Sequence, residues 1–260
     1  MKHLCSILFL VVVFGASQSA FTQESAETIV HRSRNRITAA TTHTLSRWVI
    51  TAKNGSTTER LIEQYSKDDP SGLSRVVLEF RQPASVAGTR FLSMDTARGG
   101  SNQWIFLSSL EKLRRIASSE GGGSFMGTDF SFNDIASSDR NADLDTHTIL
   151  REETLNGKAC FVIESKPKDS SYQYSRMVQW IDKATMVTHK IELYDKKGAH
   201  VKTLEILELK DVQGRLSATK TRMTTIGGGN TTISVERIKY DENIPESVFS
   251  TAYLETGKAR

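Results

Sequence analysis

From Thr41 to the C-terminus the chain repeats one pattern, in which runs of alternating apolar and polar residues are separated by short clusters of turn residues. Alternation with a period of two is typical of β-strands that bury one face. Asn-Gly pairs occur at Asn54-Gly55 and Asn156-Gly157, and both residues of such a pair tolerate the positive φ that a tight hairpin requires. The pattern predicts an antiparallel meander of about eleven strands.

Helical signals are few. The segment from Ala26 to Arg36 carries Ile29 on a helical face and acidic residues near its start, which predicts one N-terminal helix. Asp129 to Ala136 is predicted to form a short second helix, and Pro245 suits the first position of a third short turn. Since no linker divides the chain, we expect a single domain over residues 20–260.

Within single strands the apolar residues gather on one face. Val76, Leu78 and Phe80 share a face of one strand, and Val178 and Trp180 share a face of another. A curved sheet with few helices to cover its apolar face has more apolar interior than its own side chains fill. We therefore predict a continuous apolar concavity that short helices cover in part.

The N-terminus has the order of residues found in an export signal. Lys2 lies in a short basic region, Ile7 to Phe14 is a continuous apolar run, and small residues follow from Gly15 to Ser19. The apolar run is shorter than the ~20 residues that a membrane-spanning helix needs, which favours a cleaved signal over a retained anchor. We expect residues 1–19 to be removed and the protein to reside in the periplasm.

Charge and cysteine content exclude some classes of function. The full chain has a formal net charge of +4 with both signs interspersed, which argues against a nucleic-acid partner. Loss of the signal leaves Cys160 as the one cysteine, in an apolar strand setting that predicts a buried thiol. The histidines lack metal-ligand spacing and no nucleophile motif occurs, so we expect no cofactor, no metal and no enzymatic activity.

The region from Gln103 to Ile135 is the most distinctive part of the chain. It contains the strands Gln-Trp-Ile-Phe-Leu (103–107) and Leu-Glu-Lys-Leu-Arg-Arg-Ile (110–116), three glycines, and Ser-Phe-Met-Gly-Thr-Asp-Phe-Ser (124–131). In this order they resemble the hallmark region of the outer-membrane lipoprotein-sorting family, the LolA/LolB-like periplasmic carriers. Ser109 departs from the proline expected in the turn between the two strands. Over residues 27 to the C-terminus the resemblance is less specific.

The resemblance implies a mainly β fold with few helices, in which a strongly curved antiparallel sheet forms a half-barrel and short helices cover its concave face. It also implies a lipid-sized hydrophobic cavity that works without a cofactor. The ligand-binding candidates are the apolar residues expected around that cavity, with the alternative that each belongs to an ordinary core. They are Leu78, Phe80, Leu92, Trp104, Phe106, Phe125, Met126, Phe130, Phe132 and Trp180.

Two functions from different classes remain open. The first is a monomeric periplasmic carrier that shields acyl chains of lipoproteins or another lipid, in exchange with an inner-membrane transporter and an outer-membrane acceptor; a lipid carrier serving an inner-membrane exporter is a variant of it. The second is a non-enzymatic interaction or sensing module with a filled core. In the carrier, Gly121-Gly122-Gly123 is predicted to be the hinge of a lid over residues 125–135.

The export signal leads to the first testable expectation. Because the small-residue subsites are filled by Ser17 and Ser19, the mature protein should begin near residue 20. N-terminal sequencing of protein recovered from the periplasm measures this directly. A chain that retains Met1, or one with a lipid-modified N-terminus, would contradict the interpretation.

Overall fold

The computed structural model describes residues 24–97, 99–136 and 140–259, so the predicted export signal lies outside the described residues. These residues form one antiparallel sheet and three α-helices, which confirms the predicted mainly β class. The helices are α1 (Ala26–Arg34), α2 (Phe132–Ala136) and α3 (Thr251–Thr256). The strands are β1 (Thr41–Thr51), β2 (Thr57–Asp68), β3 (Ser74–Gln82), β4 (Arg90–Asp95), β5 (Ser101–Leu107), β6 (Lys112–Ile116), β7 (Asp145–Leu155), β8 (Lys158–Pro167), β9 (Arg176–Asp182), β10 (Thr188–Tyr194), β11 (His200–Val212), β12 (Arg215–Thr225) and β13 (Asn230–Tyr240).

The sheet is open and strongly curved. Its strand order is β6-β5-β4-β3-β2-β1-β13-β12-β11-β10-β9-β8-β7, so the first and last strands pair in the middle while β6 and β7 form the two edges. The chain therefore runs outward to one edge, crosses to the other edge between β6 and β7, and returns to the centre. This crossing segment is the only connection in the described sheet that joins strands that are not hydrogen-bonded neighbours.

The sheet contains thirteen strands in the described residues, two more than the predicted eleven. Two connections, residues 83–89 and 96–100, separate β3 from β4 and β4 from β5 and were not among the predicted turns, although they contain Pro83, Gly88 and Gly99-Gly100. Val86, in the first of these connections, packs against buried apolar residues of the concave face. Proline and glycine mark these breaks in the sequence, whereas alternation alone does not.

The helices cover different parts of the sheet. Ser25 caps α1 by accepting a hydrogen bond from the Thr28 amide at 3.2 Å, and α1 buries Ile29 and Val30 against strands β8 and β9. Helix α3 packs on the opposite face of the sheet, against β3 to β6. The prediction that all the short helices cover the concave face is therefore correct for α1 and α2 and wrong for α3. No helix of the described ranges is both long and apolar enough to cross a membrane.

Alternation along the strands separates two apolar faces. On β3, Val76, Leu78 and Phe80 point into the concave face, as predicted, while Val77 belongs to the cluster under α3. The concave face holds the largest group of buried residues, which we call the concave cluster. Its buried members are Trp48, Ile62, Val76, Leu78, Phe80, Phe91, Ile105, Ile116, Phe125, Phe130, Phe132, Ile135, Tyr174, Met177, Leu193 and Met223.

Candidate functional site

Besides Tyr174, four residues of the concave cluster come from no strand of the sheet. They belong to residues 121–136, the part of the crossing segment that lies over the concave face, which we call the plug. Phe125, Phe130 and Phe132 insert from it among the side chains of the strands, and Ile135 follows on α2. The plug thus supplies three of the seven buried aromatic residues of the concave cluster, as many as the strands, which supply Trp48, Phe80 and Phe91.

A tight turn gives the plug its shape. Met126 and Gly127 have φ of 52° and 79°, and the Thr128 amide donates to the Phe125 carbonyl at 3.0 Å. Two consecutive positive φ values favour glycine at the second position, which Gly127 supplies. The Phe125 amide donates to the Phe130 carbonyl at 2.7 Å, so the chain doubles back and both aromatic side chains reach the sheet.

Phe125 is the centre of the aromatic contacts. Its side chain is fully buried, and its ring centroid lies 5.2 Å from that of Phe91 and 5.4 Å from that of Phe132, both edge-on. Phe80 lies 5.9 Å and Trp48 6.4 Å from the same ring. Aromatic pairs at these separations contribute about 0.5–1.5 kcal/mol beyond the burial of their area. The plug is therefore held to strands β1, β3 and β4 by apolar contacts.

Asp129 fixes the plug to the opposite half of the sheet. Its two carboxylate oxygens accept hydrogen bonds from the hydroxyls of Thr225 at 2.6 Å and Thr231 at 2.8 Å. The Asp129 amide in turn donates to the Thr231 hydroxyl at 3.0 Å. Thr225 ends β12 and Thr231 lies near the start of β13, so this anchor ties the turn of the plug to one end of these two strands.

Asp134 is a second polar anchor, at the start of α2. Its carboxylate accepts hydrogen bonds at 2.8 Å from the Tyr174 hydroxyl, the Gln173 amide group and the Lys202 ammonium. The carboxylate also accepts a hydrogen bond from the Ser131 amide at 2.8 Å, and the Asp134 amide donates one to the Ser131 hydroxyl at 3.0 Å. This reciprocal pair is a capping box. Burial and the neighbouring Asp134 raise the pKa of the Tyr174 hydroxyl, so this phenol remains a donor.

The three glycines before the turn allow close packing. A side chain at Gly121 would place its Cβ 2.4 Å from the Asn133 amide oxygen, whereas Gly122 has only Gln173 within 4 Å. The amide of Asn133 donates to the Gly121 carbonyl at 2.9 Å, and the amide of Phe132 donates to the Gly123 carbonyl at 3.1 Å. A larger residue at position 121 would thus have to displace the side chain of Asn133. The hinge role of Gly121-Gly122-Gly123 remains a prediction.

The predicted site residues are divided among three clusters. The concave cluster contains Leu78, Phe80, Phe125, Phe130 and Phe132, with Met126 packed against it. Leu92, Trp104 and Phe106 lie on the opposite face, in the cluster under α3. Trp180 also faces away from the plug, in a cluster with Cys160, Val162 and Val178. The concavity therefore does not bring all ten residues together, because both faces of the sheet carry buried apolar residues.

Several members of the concave cluster were not among the predicted site residues. Trp48 on β1 contacts Phe130 at 5.6 Å between ring centroids, and Phe91 on β4 contacts Phe125. Alternation within β1 places Trp48 on one face, but only pairing with β2 and β13 shows which face is concave. The Ser131-x-x-Asp134 spacing is the sequence signal that identifies the start of α2, three residues later than predicted.

Outside the plug, several titratable groups of the described residues are buried. Over the described ranges, no three His, Cys, Asp or Glu side chains are arranged to hold a metal ion. Cys160 is buried, as predicted, and burial raises the pKa of its thiol, which disfavours the reactive thiolate. Asp145 forms a buried ion pair with Arg140 at 2.8 Å. What remains is an apolar concave face covered by a segment that polar side chains hold in place.

This arrangement defines an open half-barrel with a covered apolar face. A family model described as "uncharacterized protein" matches residues 72–256, and the chain belongs to that family. A DUF1329-family protein from Desulfovibrio piger is 27% identical, covers 88% of this chain and 97% of its own, and has a TM-score of 0.84. A putative outer membrane lipoprotein-sorting protein domain from Vibrio parahaemolyticus is also 27% identical, with 88% and 98% covered and a TM-score of 0.83.

A LolA superfamily protein from Nitrosomonas europaea is 17% identical, with 89% of this chain and 100% of that chain covered and a TM-score of 0.70, and it shows the shared fold alone. No curated protein sequence matches the chain. These likenesses confirm the resemblance to the lipoprotein-sorting, LolA-like proteins that the region 103–135 indicated.

The Asp134 anchor is testable by mutation. Asp134→Ala removes a buried carboxylate and leaves the Lys202 ammonium, whose side chain is 17% exposed, without its partner. Breaking a buried pair in this way typically costs about 3–5 kcal/mol. We expect the unfolding free energy, measured by urea denaturation, to fall by an amount near the lower end of that range. Asp134→Ala combined with Lys202→Ala should recover part of that loss, because the unpaired cation is then absent.

Asp143→Ala is the matched control, since Asp143 pairs with His31 through a side chain that is 72% exposed. An exposed pair contributes little, and its loss should fall within about 0.5 kcal/mol. Equal effects of the two aspartate substitutions would show that Asp134 does not anchor the plug.

Proposed function

We propose that the protein is a periplasmic carrier that binds acyl chains of lipoproteins or other lipids on its concave face, in transit toward the outer membrane. The LolA-like fold and the likeness to a lipoprotein-sorting domain support this class of function. The basic, apolar and small-residue order of the N-terminus supports export. In this proposal the protein acts without chemistry, by binding and releasing cargo.

The observation that carries the proposal is the origin of Phe125, Phe130 and Phe132. These side chains fill the concave cluster, yet all three belong to the plug and none to a strand of the sheet. If the plug moves away, the sheet keeps its backbone pairing and exposes a concave apolar surface. An acyl chain replaces the lost contacts, since each buried methylene contributes ~0.8 kcal/mol. The plug and the cargo then compete for the same surface, which provides a route to release.

A second function is favoured by the completeness of the packing. Phe125 is fully buried and Phe130 is 7% exposed, so the concave cluster is filled when the plug is in place. A module that docks on an envelope partner through its outer surface needs no more than such a filled core. The carrier requires the plug to leave, whereas the interaction module requires it to stay.

The proposal also includes partners. A carrier of this kind exchanges cargo with an inner-membrane transporter and an outer-membrane acceptor, and a lipid carrier that serves an inner-membrane exporter would use the same surface. The identity of the cargo distinguishes these variants. Both depend on an acyl chain reaching the concave face. The position of the bound chain is therefore the first quantity to measure.

The three tryptophans allow that measurement. Trp48 belongs to the concave cluster, whereas Trp104 and Trp180 lie on the opposite face. Bromine on an acyl chain quenches tryptophan fluorescence on contact, so titration with a brominated fatty acid should quench the wild-type protein. The bromine-dependent quenching should disappear in Trp48→Phe, which keeps an aromatic ring in the cluster.

Trp104→Phe and Trp180→Phe are the matched controls and should retain the quenching of the wild-type protein. Quenching that is lost in either control and kept in Trp48→Phe would place the chain on the outer face. No quenching of any variant, with no binding by calorimetry, would favour the interaction module.

A further inference from the structure

The concave face contains one arginine that the packing does not explain. Arg60 on β2 stands directly opposite Trp48 on β1 in the strand register. Its guanidinium carbon lies 5.6 Å from the centre of the Phe80 ring. A Cβ built at Gly127, in the turn of the plug, would be 3.9 Å from the second guanidinium nitrogen, Nη2. The cation of this partly buried residue thus lies between the apolar concave cluster and the plug turn.

This cation lacks a counterion within the described ranges. Its Nη1 atom is buried without a hydrogen-bond partner there. Burial lowers the pKa of the guanidinium, and no neighbouring carboxylate contributes an opposing effect. A buried charge is costly unless it is paired and hydrogen-bonded, and the cation–π contact with Phe80 offsets only part of that cost.

The nearby arginine on the outer face has ordinary partners. Arg47 on β1 forms ion pairs with Glu236 at 2.8 Å and with Glu59 at 3.3 Å. Arg60 neighbours Glu59 in sequence, but side chains of successive strand residues point to opposite faces. Glu59 therefore pairs with Arg47 on the outer face, while Arg60 remains unpaired on the concave face.

We propose that Arg60 binds the anionic headgroup of the cargo, a carboxylate or a phosphate, while the attached acyl chain lies along the concave cluster. This inference rests on the proposed carrier function and specifies the class of cargo. A guanidinium matches both anions with paired N–H donors, and Arg60 stands where the plug turn must move to admit a chain. An acyl chain carried on a neutral ester or amide gains no binding affinity from Arg60.

The test compares probes of equal chain length by calorimetry: a fatty acid with its carboxylate, a lysophosphatidate with its phosphate, and a neutral monoacylglycerol. Each is titrated into the wild-type protein, Arg60→Gln, Arg60→Lys and the control Arg47→Gln. We expect Arg60→Gln to weaken at least one anionic probe by about tenfold or more, because a hydrogen bond to a charged group is lost. Neutral-probe affinity should stay within about twofold in every variant.

Arg60→Lys keeps the charge and should retain part of the anionic affinity, and Arg47→Gln should match the wild-type protein. The anionic probe that loses more in Arg60→Gln identifies whether carboxylate or phosphate is the preferred headgroup. Equal affinity of all three probes, unchanged in Arg60→Gln, would overturn the headgroup role and leave the carrier intact. Inorganic phosphate binding as tightly as the lysophosphatidate would overturn it as well. Failure of every probe to bind would overturn the carrier function and this inference together.

Discussion

Insertion of Phe125 into the concave face is the contact on which the rest of the site depends. Complete burial of one such side chain contributes about 1.5–3 kcal/mol, and the rings of Trp48, Phe80, Phe91 and Phe132 surround it. Apolar contacts of this kind are non-directional, so a chain of methylene groups satisfies the same surface. The position of the plug is instead defined by directional bonds at Asp129 and Asp134. Apolar filling and polar positioning are thus carried by different residues.

The two faces of the sheet are covered by different means. On the outer face, α3 buries Leu254 completely, and the Tyr253 hydroxyl donates to Glu79 at 3.1 Å. Glu79 is buried on β3 and also pairs with Arg81 and Arg90, which connects the C-terminal helix to the sheet through a network of charges. Among the residues that the structure describes, the plug has no comparable charge network with the strands that its aromatic residues touch. The proposal that cargo replaces the concave cover draws on this difference.

Much of the fold was predictable from sequence, because alternation and Asn-Gly turns are local signals. It was harder to predict which face of each strand is concave. On β5, Ile105 faces the concave cluster while Trp104 and Phe106 face α3, and a strand that is apolar on both sides does not show which side is concave. Trp180 shares a face with Val178, as predicted, but that face is the outer one.

The polar features of the site depend on contacts between distant parts of the chain. Asp134 reaches Lys202 and Asp129 reaches Thr231 only after the crossing segment has spanned the sheet. Arg60 differs from Arg47, the other arginine of the β1–β2 hairpin, in the face to which its side chain points and therefore in its partners. Neither relation is visible in local sequence. By contrast, the Phe-Met-Gly-Thr-Asp-Phe run was identified from sequence because it differs from the surrounding alternation.

The central claim is that cargo replaces the plug, and native-state hydrogen exchange with and without a bound fatty acid tests it most directly. Amides of the plug that are now hydrogen-bonded, such as those of Phe125 and Phe132, should exchange faster when the ligand is bound, because the segment has left the sheet. Amides of β1, β2 and β3 should remain protected. Slower or unchanged exchange of the plug in a protein with saturated ligand would contradict the account.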